Sequence, residues 1–166
     1  KRIKIISDEI YHGIDYFKKK LKTAYNYDSD VVVINSFSKY FLMTGFRLGW
    51  ILSNKSFIEK IRNISMNFYL SPSSISQSLA SQVFNHYKYF DKIILGYKHN
   101  RKILSKGLNE MSLNNYVMPK GAFYIYVNIS KLHKNSYIFC KKMVEEIGVT
   151  VAPGIDFDEE KGKSFI

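Results

Sequence analysis

Cysteine is nearly absent from this chain. A single Cys140 excludes an internal disulfide and fits a reducing compartment, so the expected location is cytoplasmic. Long apolar runs are missing as well: none approaches the ~18 residues of a membrane-spanning helix, and no secretory signal pattern stands at the N-terminus. Metal-ligand spacing is lacking too. His12, His86, His99 and His133 stand apart from one another and from Cys140, and read as structural or surface residues. There is no internal repeat, low-complexity tract or compositional linker. Negative charge is scarce: 25 Lys and Arg face 14 Asp and Glu, a net +11. That balance suggests a nucleic-acid surface. However, the lysines are spread over several segments and no RNA- or DNA-binding motif accompanies them, so the excess reads as a solvated surface. The short Lys18–Lys20 run is expected on an exposed loop or helix.

What is present is enough for a core. The 166 residues are 46% apolar, and a chain of this size can bury about two-thirds of its unfolded surface. The densest chemistry follows two short apolar runs. Ile3 to Ile6 predicts a strand and ends at Ser7-Asp8-Glu9-Ile10-Tyr11. Val31 to Asn35 predicts a buried strand and delivers Ser36-Phe37-Ser38-Lys39, with Arg47 eight residues on.

A carboxylate, a phenol, hydroxyls, an amine and a guanidinium are together what pyridoxal 5'-phosphate needs. The Lys39 amine can form an imine with the aldehyde, and Ser36, Ser38 and Arg47 can bind the phosphate dianion. Asp8 can pair with the pyridinium nitrogen, and Tyr11 can hydrogen-bond the ring's 3-oxygen. Arginine gives planar, bidentate phosphate contact that lysine cannot, and this chain spends one of only four at position 47. The plainer alternatives are a surface lysine for Lys39, a turn cap for Asp8 and a packed core ring for Tyr11. Glu9 receives no role from the sequence.

On these motifs the chain resembles the class I/II aminotransferases of the fold-type I pyridoxal-phosphate enzymes. The matching stretches are S-D-E-I-Y with Asp8 and Tyr11, Ser36 through Trp50, Lys120 through Tyr124, Gly148-Val149, and Pro153 through Asp158. The similarity runs essentially end to end and is greatest to bacterial aspartate-type and general enzymes. It implies an α/β fold. Residues 1–90 would be the C-terminal part of the cofactor-binding large domain, a mixed, mostly parallel sheet with helices on its faces. Residues 91–166 would be a small α+β C-terminal domain, cut before its end. It also implies amino-group transfer from an L-amino acid such as aspartate to a 2-oxo acid such as 2-oxoglutarate. A homodimer is implied, in which Leu70 to Gln77 reaches the neighbouring site. There Ser73 and Ser74 would touch the partner's phosphate or simply cap a helix. No nucleic-acid or membrane partner is expected. Two other readings use the same residues: a lyase or acyltransferase of the same fold, and a cofactor-sensing module of a transcription regulator.

The resemblance also marks gaps. The family's carboxylate-binding arginine would follow Lys163-Ser164-Phe165-Ile166, where the sequence stops. The family's N-terminal half supplies a helix N-terminus for the phosphate, a ring that stacks on the pyridine and an asparagine near the 3-oxygen. The sequence opens at Lys1 without Met, so a fragment is expected, inactive by itself. For the remaining elements, the pattern predicts a third buried strand at Leu48–Ser53 and a helix at Lys55–Asn67. A further helix should run to about Tyr87 and a long one from Phe90 to Met111. A half-buried strand at Ala122–Asn128, a helix capped by Asn135 or Ser136 and ended by Gly148, and a short strand at Val149–Ala152 complete the reading.

Overall fold

The β-branched run from Val31 to Ile34 suits a pleated surface, and it forms the central strand of a three-stranded sheet. The computed structural model describes residues 3–17 and 21–166, so the Lys18–Lys20 run lies outside the described residues. Strands β1 (Ile6–Asp8), β2 (Val32–Ser36) and β3 (Gly49–Leu52) lie in that order. β1 runs parallel to β2, with Asp8 opposite Ile34; β2 runs antiparallel to β3, with Ser36 opposite Gly49. The sheet is therefore mixed, in an α/β chain, as the resemblance implies.

Strand β1 begins at Ile6 rather than Ile3. The reason lies in the turn before β2. Asp28 accepts from the Asp30 amide on its side chain and from the Val31 amide on its carbonyl, so ladder pairing starts only at Val32, opposite Ile6. The expectation that Leu48–Ser53 is a buried strand is also corrected. Leu48 and Ser53 are buried at its ends, but Ile51 and Leu52 within β3 are exposed.

Two compact units divide the chain: Lys1–Gly96 with Lys120–Ala122, and Tyr97–Pro119 with Phe123–Ile166. In the first, the core is aromatic. Phe37, Tyr40 and Phe41 are buried, and they meet Trp50, Phe84, Tyr87 and Phe90. Phe37 and Trp50 lie 4.7 Å apart edge-on, and Phe41 and Phe90 5.3 Å apart at 84°. Such pairs contribute about 0.5–1.5 kcal/mol each beyond their buried area.

Helix α1 (Lys55–Tyr69) follows the Asn54 cap, whose side-chain oxygen accepts from the Phe57 amide. Its apolar stripe exists as the periodicity predicts, yet Ile64 and Phe68 are exposed and no residue of the helix is buried. Helix α2 (Ser74–Val83) ends earlier than Tyr87, and a 3-10 turn at Phe84–His86 leads into α3 (Tyr87–Glu110). Tyr40, beside Lys39, donates its phenol to Asp91 of α3 at 2.6 Å.

In the second unit, α4 (Ser136–Ile147) matches its sequence signals at both ends. Asn135 caps it through the Ile138 amide, and Gly148 closes it at φ 67. Its inward face is Ser136 and Cys140, while Val144 and Ile147 are exposed. The strand expected at Ala122–Asn128 is absent. Ala122 takes a left-handed φ of 56, which ends extended backbone at the outset. What remains are isolated bridges, Tyr116 with Val127 and Asn128 with Phe165. Val149–Ala152 likewise forms no ladder. Ile129 and Ser136 are fully buried, and Ser136 donates to the Gly162 carbonyl at 3.1 Å.

Gly154 and Gly162 press backbone against backbone. A β-carbon on Gly154 would fall 2.5 Å from the Gly162 carbonyl oxygen, and one on Gly162 would collide with the Gly154 carbonyl. Backbone cannot swing aside as a long side chain can, so Gly162→Ala should destabilise the chain by about 1–3 kcal/mol. Urea unfolding measures this; an unchanged midpoint would show that the two segments separate freely.

Tyr40 generates a second expectation. Burial first, then the hydrogen bond and charge of Asp91, with a smaller effect of Tyr87, push its phenol well above the ordinary value. The folded chain therefore keeps a proton that the unfolded chain loses near pH ~10. The stability from this group is complete below that pH and is lost as pH climbs beyond it. From about pH 10 upward the unfolding free energy should fall more steeply in the wild type than in Tyr40→Phe. Parallel slopes would remove Tyr40 as the cause.

Candidate active site

Parallel neighbours send their C-terminal ends to the same edge of a sheet, where α/β folds hold their ligands. Here β1 ends at Asp8 and β2 at Ser36. Because Gly49 pairs with Ser36 at the start of β3, Arg47, two residues earlier, joins the same edge. The sheet therefore gathers Asp8, Tyr11, Ser36, Ser38, Lys39 and Arg47, six residues drawn from three separate segments, along one rim.

The segment after β1 is tightly turned. Asp8 is exposed and its Oδ1 accepts from the Ile10 amide at 3.1 Å, which fixes the carboxylate. The His12 amide donates to the Glu9 carbonyl and the Ile14 amide to the Tyr11 carbonyl. Tyr11 is half-buried, and the Lys39 ammonium lies 5.8 Å from its ring centroid, within cation–π range.

The segment after β2 alternates roles. Phe37, Tyr40 and Phe41 go into the aromatic core, while Lys39 stays half-buried at the rim. The Ser36 and Ser38 hydroxyl oxygens are 2.9 Å apart, and Ser36 Oγ accepts from the Ser38 amide at 3.0 Å. Ser36 Oγ also sits 3.0 Å from the Leu48 carbonyl oxygen. A hydroxyl has one proton, so donation to Leu48 leaves Ser38 as the donor between the two serines. Thr44 closes the turn by donating to the Ser38 carbonyl at 3.0 Å.

Two residues here have left-handed backbone without being glycine: Leu42 at φ 58 and Arg47 at φ 50. Each such residue costs about 1–3 kcal/mol and persists only where its surroundings hold it. Arg47 is exposed, and its Nη1 donates to the Thr44 carbonyl at 3.0 Å. Lys39 with Tyr11 and Ser36 with Ser38 are thus in direct contact; Asp8 and Arg47 share the rim through strand register.

Glu9 is a structural element that the sequence did not reveal. Its Oε1 accepts from Ser7 Oγ at 3.2 Å, Thr23 Oγ1 at 3.0 Å and the Ala24 amide at 2.8 Å, and its Oε2 lies 3.4 Å from His12 Nδ1. It thereby ties the Tyr11 turn to the 3-10 turn at Ala24–Asn26. Among the described residues no group of three or more His, Cys, Asp or Glu could hold a metal ion, and no helix is long and apolar enough to cross a membrane.

Known proteins resemble this chain over nearly its whole length. The family described as aminotransferase class I and II matches residues 1–164. The valine–pyruvate aminotransferase of Mycobacterium tuberculosis is 36% identical over 99% of this chain and 43% of its own length. The aspartate aminotransferase of Sulfurisphaera tokodaii is 34% identical over 100% and 43%. The crystal structure of an aminotransferase from Mycobacterium tuberculosis superposes with a TM-score of 0.93 at 37% identity, covering 98% of this chain and 43% of that one. A double mutant of Thermus thermophilus aspartate aminotransferase gives 0.84 at 27% identity, covering 98% and 42%. The chain spans less than half the length of these relatives. With the motifs, the sheet and these matches in agreement, the chain belongs to the class I and II aminotransferase family.

Proposed function

We propose that this chain carries the lysine half of the site of a pyridoxal-phosphate-dependent aminotransferase, which moves an amino group from an L-amino acid to a 2-oxo acid. The observation that carries the reading is the shared rim: strand register brings an amine, a carboxylate, a phenol, a hydroxyl pair and a guanidinium to the ends of β1 and β2 and the start of β3, with the amine on the phenol ring and the two hydroxyls linked. That donor set fits the cofactor group by group. Ser36, Ser38 and Arg47 would hold the phosphate, Asp8 the pyridine nitrogen, Tyr11 the 3-oxygen and Lys39 the aldehyde carbon.

When bound, the cofactor supplies an electron sink for the pair released at the substrate's α-carbon. The protein's part is orientation and proton handling. Asp8 Oδ1 is committed to the Ile10 amide, and its second oxygen is available to keep the ring nitrogen protonated. Lys39 Nζ takes the proton from the α-carbon and returns it on the other side of the transfer. The Ser36–Ser38 pair is already ordered by its own hydrogen bonds, and each hydroxyl would turn its single proton from its present acceptor toward the phosphate. Aspartate, named for one relative, and valine, named for another, are the donors to assay first, with 2-oxoglutarate and pyruvate as acceptors.

Borohydride treatment of the cofactor-loaded protein, followed by peptide mapping, should find the adduct on Lys39; an adduct on another lysine sinks the assignment. Asp8→Asn should retain the cofactor and lower turnover by roughly 10³-fold, about 4 kcal/mol of barrier. Near-normal turnover would leave Asp8 as a turn cap.

The complete site is proposed to form in a homodimer, with Leu70 to Gln77 facing the partner. Phe68, Tyr69, Leu70 and Ile75 are exposed apolar residues in and beside that stretch, which supports the reading. The 166 residues alone, supplied with pyridoxal phosphate, should show no turnover of aspartate with 2-oxoglutarate. Turnover within about tenfold of a full-length relative would mean that the part of the relatives this chain does not span contributes little, since orientation lost at several groups multiplies in rate.

A further inference from the structure

We infer that Tyr40 is a positioning residue: clamped between Gly13 and Asp91, it sets where the Lys39 amine lies relative to Tyr11. The inference rests on the assignment of Lys39 made above. A lysine side chain carries about 2 kcal/mol of rotamer entropy, and Lys39 sits on a turn without a strand or helix ladder to hold it. Its neighbour is held from two directions. Tyr40 is buried, and its phenol donates to Asp91 Oδ1 at 2.6 Å. A bond from a neutral phenol to a carboxylate is charge-assisted and short. Asp91 lies near the start of α3, a 24-residue helix, so the turn is tied to a long regular element. The ring is braced by Phe41 at 4.9 Å and Phe90 at 5.7 Å.

The ring also packs closely on Gly13. A β-carbon there would come within 2.7 Å of Tyr40 Cδ2, and the backbone has a φ of +90 that side-chain-bearing residues rarely adopt. Gly13 is two residues past Tyr11 in the turn that follows β1. One ring therefore bears on the segment holding Tyr11 and is covalently next to Lys39. Glu9 fixes the Tyr11 segment independently, so the phenol–Asp91 bond governs the placement of the lysine turn against it. The 5.8 Å separation of Lys39 Nζ from the Tyr11 ring is the quantity this clamp sets.

The test compares full-length wild type with Tyr40→Phe, Asp91→Ala and Asp91→Asn. One readout is the rate at which borohydride-trapped adduct accumulates on Lys39 after mixing with pyridoxal phosphate. The other is equilibrium binding of pyridoxine 5'-phosphate, which has the same ring and phosphate but no aldehyde. Tyr40→Phe and Asp91→Ala should each slow adduct formation by about tenfold, as misplacement of a reacting group does. The double variant should be no slower than either single one, because both remove the same bond. Asp91→Asn keeps an acceptor and should recover most of the rate. Pyridoxine 5'-phosphate should bind all five proteins alike. Unchanged adduct rates, or parallel losses with both probes, overturn the inference while leaving Lys39 in its role. A wild type that forms no adduct on Lys39 overturns the assignment of Lys39 and this inference together.

Discussion

The pairing of Asp8 with Ile34 in two parallel strands is the constraint on which the rest depends. Parallel neighbours end on the same side, so the segments that leave β1 and β2 must emerge together. A carboxylate–phenol segment and a hydroxyl–lysine segment, more than twenty residues apart in sequence, become neighbours through that single register. A slip of one residue would turn every side chain of β1 to the opposite face and separate Asp8 from the rim. The turn at Asp28 protects against this slip by starting β2 at Val32.

The second requirement is that the lysine turn stay where the register puts it. Buried rings beneath and bonded polar groups above share that task. Phe37, Tyr40 and Phe41 anchor into one aromatic core, and hydrogen bonds from Thr44 and between the serines close the turn around Lys39. Leu42 and Arg47 take left-handed backbone on either side of the Thr44 turn, and Arg47 Nη1 bonds the Thr44 carbonyl. Chemistry at the rim and packing beneath it are therefore two aspects of the same seven-residue stretch from Ser36 to Leu42.

Much of this was legible in the sequence because the signals were local. A β-branched run followed by hydroxyls and a lysine is visible without knowing the partner strand. The cap at Asn135 and the stop at Gly148 likewise mark α4 from within a few residues. The misreadings arose where a contact distant in sequence decides. Ile3–Ile6 looked like a strand, but pairing depends on where β2 begins. Ala122–Asn128 alternates like a strand, but a left-handed Ala122 and the lack of a continuous neighbour leave only bridges. Glu9 and Asp91 were invisible because their roles come from Thr23 and Tyr40, 14 and 51 residues away.

Arg47 shows how stability and chemistry can pull in different directions at one position. Its backbone angle suits glycine, and a glycine there would relax the turn. Selection for a sturdier fold alone would favour losing the guanidinium, because the exposed side chain contributes little packing to replace. A lineage that no longer needed the phosphate contact proposed for Arg47 would therefore drift toward a small residue at 47 with a gain in stability. The same lineage would keep Phe37 and Phe41 unchanged, since their loss would open the core. An arginine retained against its own backbone preference is thus a marker of the site in use, readable by comparing which of these positions changes first.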